Sequence, residues 1–478
     1  MRRALIVIGL TLVLVLGLVV WRADDLGVSD LVDDLTGASD PPPASEGPAA
    51  VPPPPGLDLP RLPDAQPVAR ERVDRAIDPR AVRQSLGRLT RDKRLGPRVA
   101  VAVAGPDGRP AYEEGPRVVT PASLLKTAIS LAALELLGPE HRFTTSVVRR
   151  GGVLTLVGGG DPLLTGAPDP GAVPRRADLT TLARQTATAL RAEKRGGPAR
   201  VTLRYDDSLF SGPAVSPDWE NDYIPDNVVS PITALWIDVG REFPGALTRS
   251  ADPSRAAALR FAEALRAAGT TVVGSPRPGA APDVDPVASV ASAPLVEVVQ
   301  HVLETSDNEG AEVLLRQVGL ADAGARGGSF AAGSRAVSST LADLGVPLRA
   351  ARILDGSGLA RGNRMAVSSL LEVLATSLEP KRPLLAGVTS GLPVAGFTGS
   401  LASGRFEVDA VDGLGWVRAK TGTLTGVHGL AGSVTGRDGT PMLFVAVVDR
   451  VKIRNALQAR ARLDQIASAL ADCRCAAR

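Results

Sequence analysis

The strongest strand-forming segments of this 478-residue chain lie at opposite ends of its structured part. Early on, RVAVAVAG is followed by a Pro-Asp-Gly turn and RPAYEEG. Near the end, WVRAKTGTL, GLAGSVTG and PMLFVAVVD are separated by turns at GVH and GRDG. Each group reads as short apolar runs bounded by turn residues, the pattern of hairpins. A lone two-stranded hairpin is marginal in water. The early hairpin is therefore expected to pair with the late strands in one antiparallel sheet built from both chain ends. The segments between read mostly as helices: 175–195, 254–269, two meeting at Ser-Asp-Asn within 294–319, one near 336–344, and 367–378. A further hairpin signal sits at 143–160, and ARVTLRYDD reads as a strand. The fold class is α+β, with a helical cluster beside the sheet and a domain inserted in the middle.

Apolar residues make up 44% and charged residues 22%, which fits a globular chain. A net charge of +3, with no basic run interleaved with aromatics, argues against nucleic acid as a partner. Arg2 and Arg3 precede an uncharged run over residues 4–21, which as a helix spans roughly 27 Å. It reads as a transmembrane anchor with residues 1–3 cytoplasmic, or else as a signal segment; either way the remainder is exported and extracytoplasmic. Residues 22–68 are proline-rich and read as an extended linker. The catalytic part is expected at 69–164 and 286–478, with 165–285 inserted. Cys473 and Cys475 fit an oxidising compartment, either as a local clasp or as unbridged thiols. With two cysteines and three histidines, a Cys/His zinc site has no support, and no cofactor is implied.

Three stretches carry chemistry. TPASLLKTAIS, 120–130, opens a helix with Thr120 as the expected N-cap, Pro121 at the first helical position and Gly138-Pro139 as the stop. Ser123 and Lys126, three apart, share a face near the helix start. Lysine occurs only six times, and this one interrupts an apolar run. It either snorkels to water or is held beside the serine. An ammonium among apolar groups loses hydration and its pKa falls. The free amine can then take a hydroxyl proton and create a nucleophile. In TSDNEGAE, 305–312, Ser306 and Asn308 flank a helix junction. Their side chains can bind an amide and pass a proton, or simply cap the second helix. In RAKTGTLTG, 418–426, Lys420, Thr421 and Thr423 can bind a carboxylate, while Gly422 lets another molecule approach the backbone. Chance alone yields Ser-x-x-Lys roughly 0.4 times and Lys-Thr-Gly roughly 0.04 times in such a chain.

In this order the three are the signature of penicillin-binding proteins and serine β-lactamases, and the chain resembles that superfamily. GGGDPLL (158–164), YDDSLFSGP (205–213), DGSGLARGNR (355–364) and LPVAGFTGSLASGRF (392–406) narrow the resemblance. They are similar to the D-alanyl-D-alanine carboxypeptidase/endopeptidase family, the class C low-molecular-mass penicillin-binding proteins (peptidase family S13). The resemblance implies a transpeptidase-like fold, with an insert between Lys126 and Ser306 that is shorter than in the larger members. It implies that Ser123 attacks the penultimate D-Ala carbonyl of a peptidoglycan stem peptide, with Lys126 as base. Backbone N–H groups of Ser123 and Thr423 stabilise the oxyanion. Ser306, bridging Lys126 and Lys420, relays the proton to the leaving amine, and Asn308 holds the substrate amide. The terminal carboxylate lies near Lys420, Thr421 and Thr423. Cross-links ending in diaminopimelate are cut by the same steps, and β-lactams trap Ser123 covalently.

Trp219 and Asp222, in PDWENDY, match a Trp-x-x-Asp element that reaches the site from the insert. Asp222 is then expected to bind the diaminopimelate ammonium and Arg361 its carboxylate. The plain readings are core packing for Trp219, and surface solvation or an ion pair for Asp222 and Arg361. Rival functions are a serine β-lactamase, which the long insert disfavours, and a weakly catalytic penicillin-binding wall scaffold. A Ser-His-Asp hydrolase predicts G-x-S-x-G, which does not occur.

Overall fold

The computed structural model describes residues 76–193, 200–322 and 327–477. Among them the strands form three sheets. The first has the order β10-β11-β12-β1-β2. It joins β1 (Arg98–Ala104) and β2 (Pro110–Glu114) to β10 (Val417–Leu424), β11 (Val427–Thr435) and β12 (Pro441–Asp449). Every pair is antiparallel, and β1 meets β12 in the register Arg98↔Asp449 to Ala104↔Leu443. The two chain ends thus share one sheet, as the strand patterns predict. Its middle strands, β1 and β12, are continuously apolar because both faces are covered. Ala100, Ala102, Leu443 and Val445 pack into the helical side, whereas Val101, Val103, Phe444 and Ala446 pack beneath the C-terminal helix.

Four helices build the helical side around α2 (Leu125–Leu137), whose residues 125–134 are all buried. Around it lie α5 (Leu295–Thr305), α6 (Asn308–Ala321), α7 (Phe330–Asp343) and α8 (Val367–Thr376). A helix buried on every side is apolar all round, which is why α2 shows no polar face. On the opposite face, α9 (Ala456–Asp472) and α1 (Pro79–Leu86) cover the sheet. Cys473 and Cys475, just past α9, are bridged, with Cα atoms 5.3 Å apart.

The second large sheet has the order β7-β6-β5-β4-β8 and is mixed. β4 (Thr144–Arg150) and β5 (Val153–Val157) form a hairpin. β5, β6 (Arg200–Asp206) and β7 (Thr271–Pro278) run parallel, with α3 (Leu179–Glu193) and α4 (Pro253–Ala267) in the crossovers. β8 (Pro286–Ala291) closes the other edge against β4. Residues 165–285, expected as an insert, supply β6, β7 and both crossover helices, and β4, β5 and β8 join from either side. A small third sheet pairs β3 (Val118–Val119) with β9 (Met365–Ala366).

The expected transmembrane helix, membrane-anchor contact and membrane-anchored location are corrected here. No helix among the described residues is long and apolar enough to cross a membrane. The apolar α2 has 13 residues, about 20 Å of rise against a hydrocarbon core of about 30 Å. The 17-residue α9 carries arginines and aspartates. The expectations for 1–3, 4–21 and 22–68 concern residues outside those described.

Candidate active site

Ser123 sits in a single 3-10 turn, Ala122–Leu124, that leads into α2. Thr120 does not cap this helix: its hydroxyl accepts from Arg364 Nη1 (3.1 Å) instead. Ala122, one residue before the serine, is held at φ 48°, a conformation rare for non-glycine residues. Its carbonyl is covered by Gly358, itself at φ 85°, where any side chain would collide with Ala122. The serine is thus presented by a turn locked from both sides.

Lys126 is fully buried. Its Nζ lies 2.8 Å from Ser123 Oγ, 2.9 Å from Asn308 Oδ1 and 2.7 Å from the Ser357 carbonyl. Burial pushes its pKa down to about 8, against the upward pull of Glu312, Asp355, Asp307 and Glu309. The amide oxygen of Asn308 and the carbonyl of Ser357 can only accept hydrogen bonds. A neutral amine therefore gives its two N–H groups to them, and its lone pair faces the Ser123 hydroxyl. This is the arrangement a general base needs.

The α5–α6 junction supplies the second motif. Ser306 ends α5 in a left-handed conformation (φ 60°, ψ 36°), and Asp307 caps α6 through Gly310 N–H (3.0 Å). The cap role falls to Asp307, which leaves Asn308 free to face Lys126. Ser306 is half-buried beside them and makes no hydrogen bond to Lys126 or Lys420.

β10 supplies the third. Lys420 is fully buried, and its Nζ donates only to the Thr421 carbonyl (3.2 Å). Burial, then the charge of Lys126, holds its pKa well below the usual lysine range. A Cβ on Gly422 would lie 3.1 Å from both Leu124 Cγ and the Pro121 carbonyl. The close approach that needs this glycine is made by the protein's own serine turn, which seats β10 against it. Ala395 N–H bonds the Val417 carbonyl and Ala419 N–H the Pro393 carbonyl, so residues 393–395 cover the outer edge of β10 up to Ala419. By strand alternation Thr421 and Thr423 direct their N–H and C=O to this same edge, beyond the covered part. Thr421 Oγ1 lies 3.0 Å from Ser400 Oγ, and the Thr423 side chain is exposed.

None of the remaining expected residues hydrogen-bonds Ser123, Lys126 or Lys420. Trp219 is buried: its indole N–H donates to Asp355 Oδ2 (2.9 Å) and its ring meets Phe330 edge-on. Asp222 is exposed. Arg361 pairs with Glu220 (2.6 Å) and donates to the Thr425 carbonyl (3.0 Å). No histidine reaches the serine; the Ser123 hydroxyl has Lys126 and the Ser357 carbonyl (3.4 Å) as its partners.

Sequence reasoning assigned no role to the 355–358 turn or to Glu312. Glu312 accepts the N–H groups of Gly356 and Ser357, both at 2.8 Å. Asp355 accepts those of Gly358 (3.1 Å) and Ala360 (2.6 Å). The available signal was the one that marked Lys126: a charge inside an apolar helix, here AEVLLRQVG.

The sequence matches the D-Ala-D-Ala carboxypeptidase 3 (S13) family over residues 82–246 and 242–470. The chain belongs to that family. A carboxypeptidase DacB of Mycolicibacterium smegmatis is 32% identical over 425 residues, covering 84% of this chain and 89% of that protein. A D-alanyl-D-alanine carboxypeptidase of Actinomadura sp. is 28% identical over 411 residues, covering 68% and 72%. The crystal structure of penicillin binding protein 4 (dacB) from Haemophilus influenzae superposes with a TM-score of 0.64. At 21% identity it covers 81% of this chain and 98% of its own, and it bears out the fold. Membership in the S13 family makes this chain a serine-type hydrolase, a D-Ala-D-Ala carboxypeptidase/endopeptidase acting on peptidoglycan. An extracytoplasmic location fits that substrate.

Proposed function

We propose that Ser123 is the acyl-accepting nucleophile of this carboxypeptidase and Lys126 the base that activates it. One observation carries the reading: the buried Lys126 amine lies 2.8 Å from Ser123 Oγ, with two obligate acceptors taking its hydrogens. The stem peptide lies along the open edge of β10 as an added strand. Its terminal carboxylate is received by Lys420, Thr421 and Thr423, and Gly422 keeps that edge close to the serine. Ser123 Oγ attacks the penultimate D-Ala carbonyl as its proton passes to Lys126. The N–H groups of Ser123 and Thr423 stabilise the oxyanion. Ser306 carries the proton to the departing amine of the terminal D-Ala, while Asn308 orients both Lys126 and the substrate amide. Water then cleaves the Ser123 ester. β-Lactams, which resemble the dipeptide, stop at that ester.

At the rim, Asp222 and Arg361 are the groups offered to the ammonium and carboxylate of a diaminopimelate side chain, and Trp219 forms the wall beneath them. An incoming carboxylate displaces Glu220 from Arg361. Residues 165–285 are read as the insert that brings this rim to a catalytic domain made of 69–164 and 286–478.

The test is digestion of purified cross-linked and uncross-linked muropeptides by wild type and Ser123→Ala, with products identified by mass spectrometry. Wild type is expected to release D-Ala, monomers from dimers, or both; S123A neither. Penicillin is expected to remain attached at position 123. Rapid turnover of nitrocefin would instead favour a β-lactamase, and labelling without any peptide product a binding scaffold.

A further inference from the structure

The turn at 355–358 presents one carbonyl, that of Ser357, to both Lys126 (2.7 Å) and Ser123 (3.4 Å). A backbone carbonyl is only as well aimed as the turn that holds it. Glu312 grips this turn, each carboxylate oxygen taking one N–H. Asp355 grips the same turn from its other end and is itself held by Trp219 Nε1 (2.9 Å) and Asn363 Nδ2 (2.7 Å). We infer that Glu312 is a positioning residue of the acyl transfer: it fixes the Ser357 carbonyl, and this carbonyl turns the Lys126 lone pair toward Ser123. The inference rests on the Ser123–Lys126 reading above.

The charges around Lys126 support a role beyond scaffolding. Glu309 is paired with Arg249 (2.7 Å), Asp307 caps α6, and Asp355 faces several donors. Arg316, one turn on from Glu312, points elsewhere and donates to the carbonyls of Ser211, Pro213 and Gly328. Lys420 is the other buried cation facing Lys126. Glu312 is fully buried and has no ion-pair partner within salt-bridge distance. Of the carboxylates around Lys126, it does most to hold a proton on that amine. Burial and Asp355 raise the pKa of Glu312 in turn, against the Gly356 and Ser357 N–H groups that favour its carboxylate. Its removal lowers the Lys126 pKa, so the free amine persists to lower pH.

The experiment measures acylation by a fluorescent penicillin across concentration and pH for wild type, S123A, Glu312→Gln and Glu312→Asp, with thermal melts as folding controls. In E312Q one acceptor oxygen is replaced by an NH2 that confronts a backbone N–H. Its maximal acylation rate is expected to fall about tenfold to a hundredfold, with the half-saturating concentration unchanged. The acid limb of its pH profile is expected to move to lower pH. A folded E312Q with the wild-type rate, or with a lower rate but an unmoved limb, overturns the inference. If E312Q does not fold, Glu312→Asp decides. Its shorter side chain keeps the charge but cannot reach both the Gly356 and the Ser357 N–H, and it is expected to lower the maximal rate severalfold at unchanged half-saturation. An unchanged rate, or a raised half-saturating concentration, overturns it. Continued labelling of S123A would sink the parent reading instead.

Discussion

Lys126 and Lys420 are both wholly buried, yet their surroundings differ in kind. Lys126 has three hydrogen-bond partners and lies in the field of four carboxylates. Lys420 has one backbone carbonyl at 3.2 Å and no carboxylate raising its pKa. The first pocket is complete without substrate, as suits a group that must be poised before chemistry begins. The second lacks an anion, as suits a group whose partner arrives with the substrate. Burial alone makes neither a base nor a receptor; the acceptors that accompany it do.

The largest effect that can break this contrast is on chemistry. Lys126→Ala is expected to lower penicillin acylation and D-Ala release about a thousandfold at saturating substrate, the scale of a lost general base. A loss in binding alone would move Lys126 into the receptor class. Lys420→Ala is expected to cost about a hundredfold in kcat/KM for substrates ending in a free carboxylate. The cost should be much smaller for the same peptides ending in an amide, as comparison of the two series would show. Equal losses would mean that Lys420 acts on the reaction itself.

The two lysines should also differ in pH dependence. Under the proposed mechanism Lys126 acts as the free amine, with a pKa of about 8, so acylation should fall roughly tenfold for each unit below that value. As the proposed carboxylate receptor Lys420 would act as the ammonium, and burial favours its neutral form. Binding of free-acid peptides should weaken as pH rises, while binding of amides stays level. A pH series on both substrates measures the two limbs separately. The smallest effect is on stability. Lys420→Met removes an uncompensated buried cation and should raise Tm by about 2 °C. Lys126→Met strands Glu312 and Asp355 and should lower Tm by about 5 °C. Melting curves of the two variants, run side by side, test the sign of each.

Much of the site was legible because its residues break local rules. Lys126 interrupts an apolar helix, Lys-Thr-Gly is rare, and Ser-Asp-Asn lies where two apolar helices must part. The sheet built from both chain ends was readable from two distant sets of strands, each needing the other. Gly422 was read for its missing side chain, but the neighbour it admits is the protein's own serine turn. Trp219 carried a motif that no local pattern could place, and its indole N–H ends on Asp355. Glu312 broke the same rule as Lys126 and passed unassigned, because a charge in a helix gives no sign of what lies across from it.

Sequence by itself determined the order of the three motifs, the helical face shared by Ser123 and Lys126, and the pairing of early with late strands. All follow from short-range spacing and from the need of apolar faces for cover. Only the tertiary structure decided that the carbonyl of Ser357, 231 residues from Lys126, completes the amine's coordination, and that Glu312 grips the turn carrying it. A backbone carbonyl has no letter of its own in a sequence, and its direction is set by whatever grips the turn that carries it.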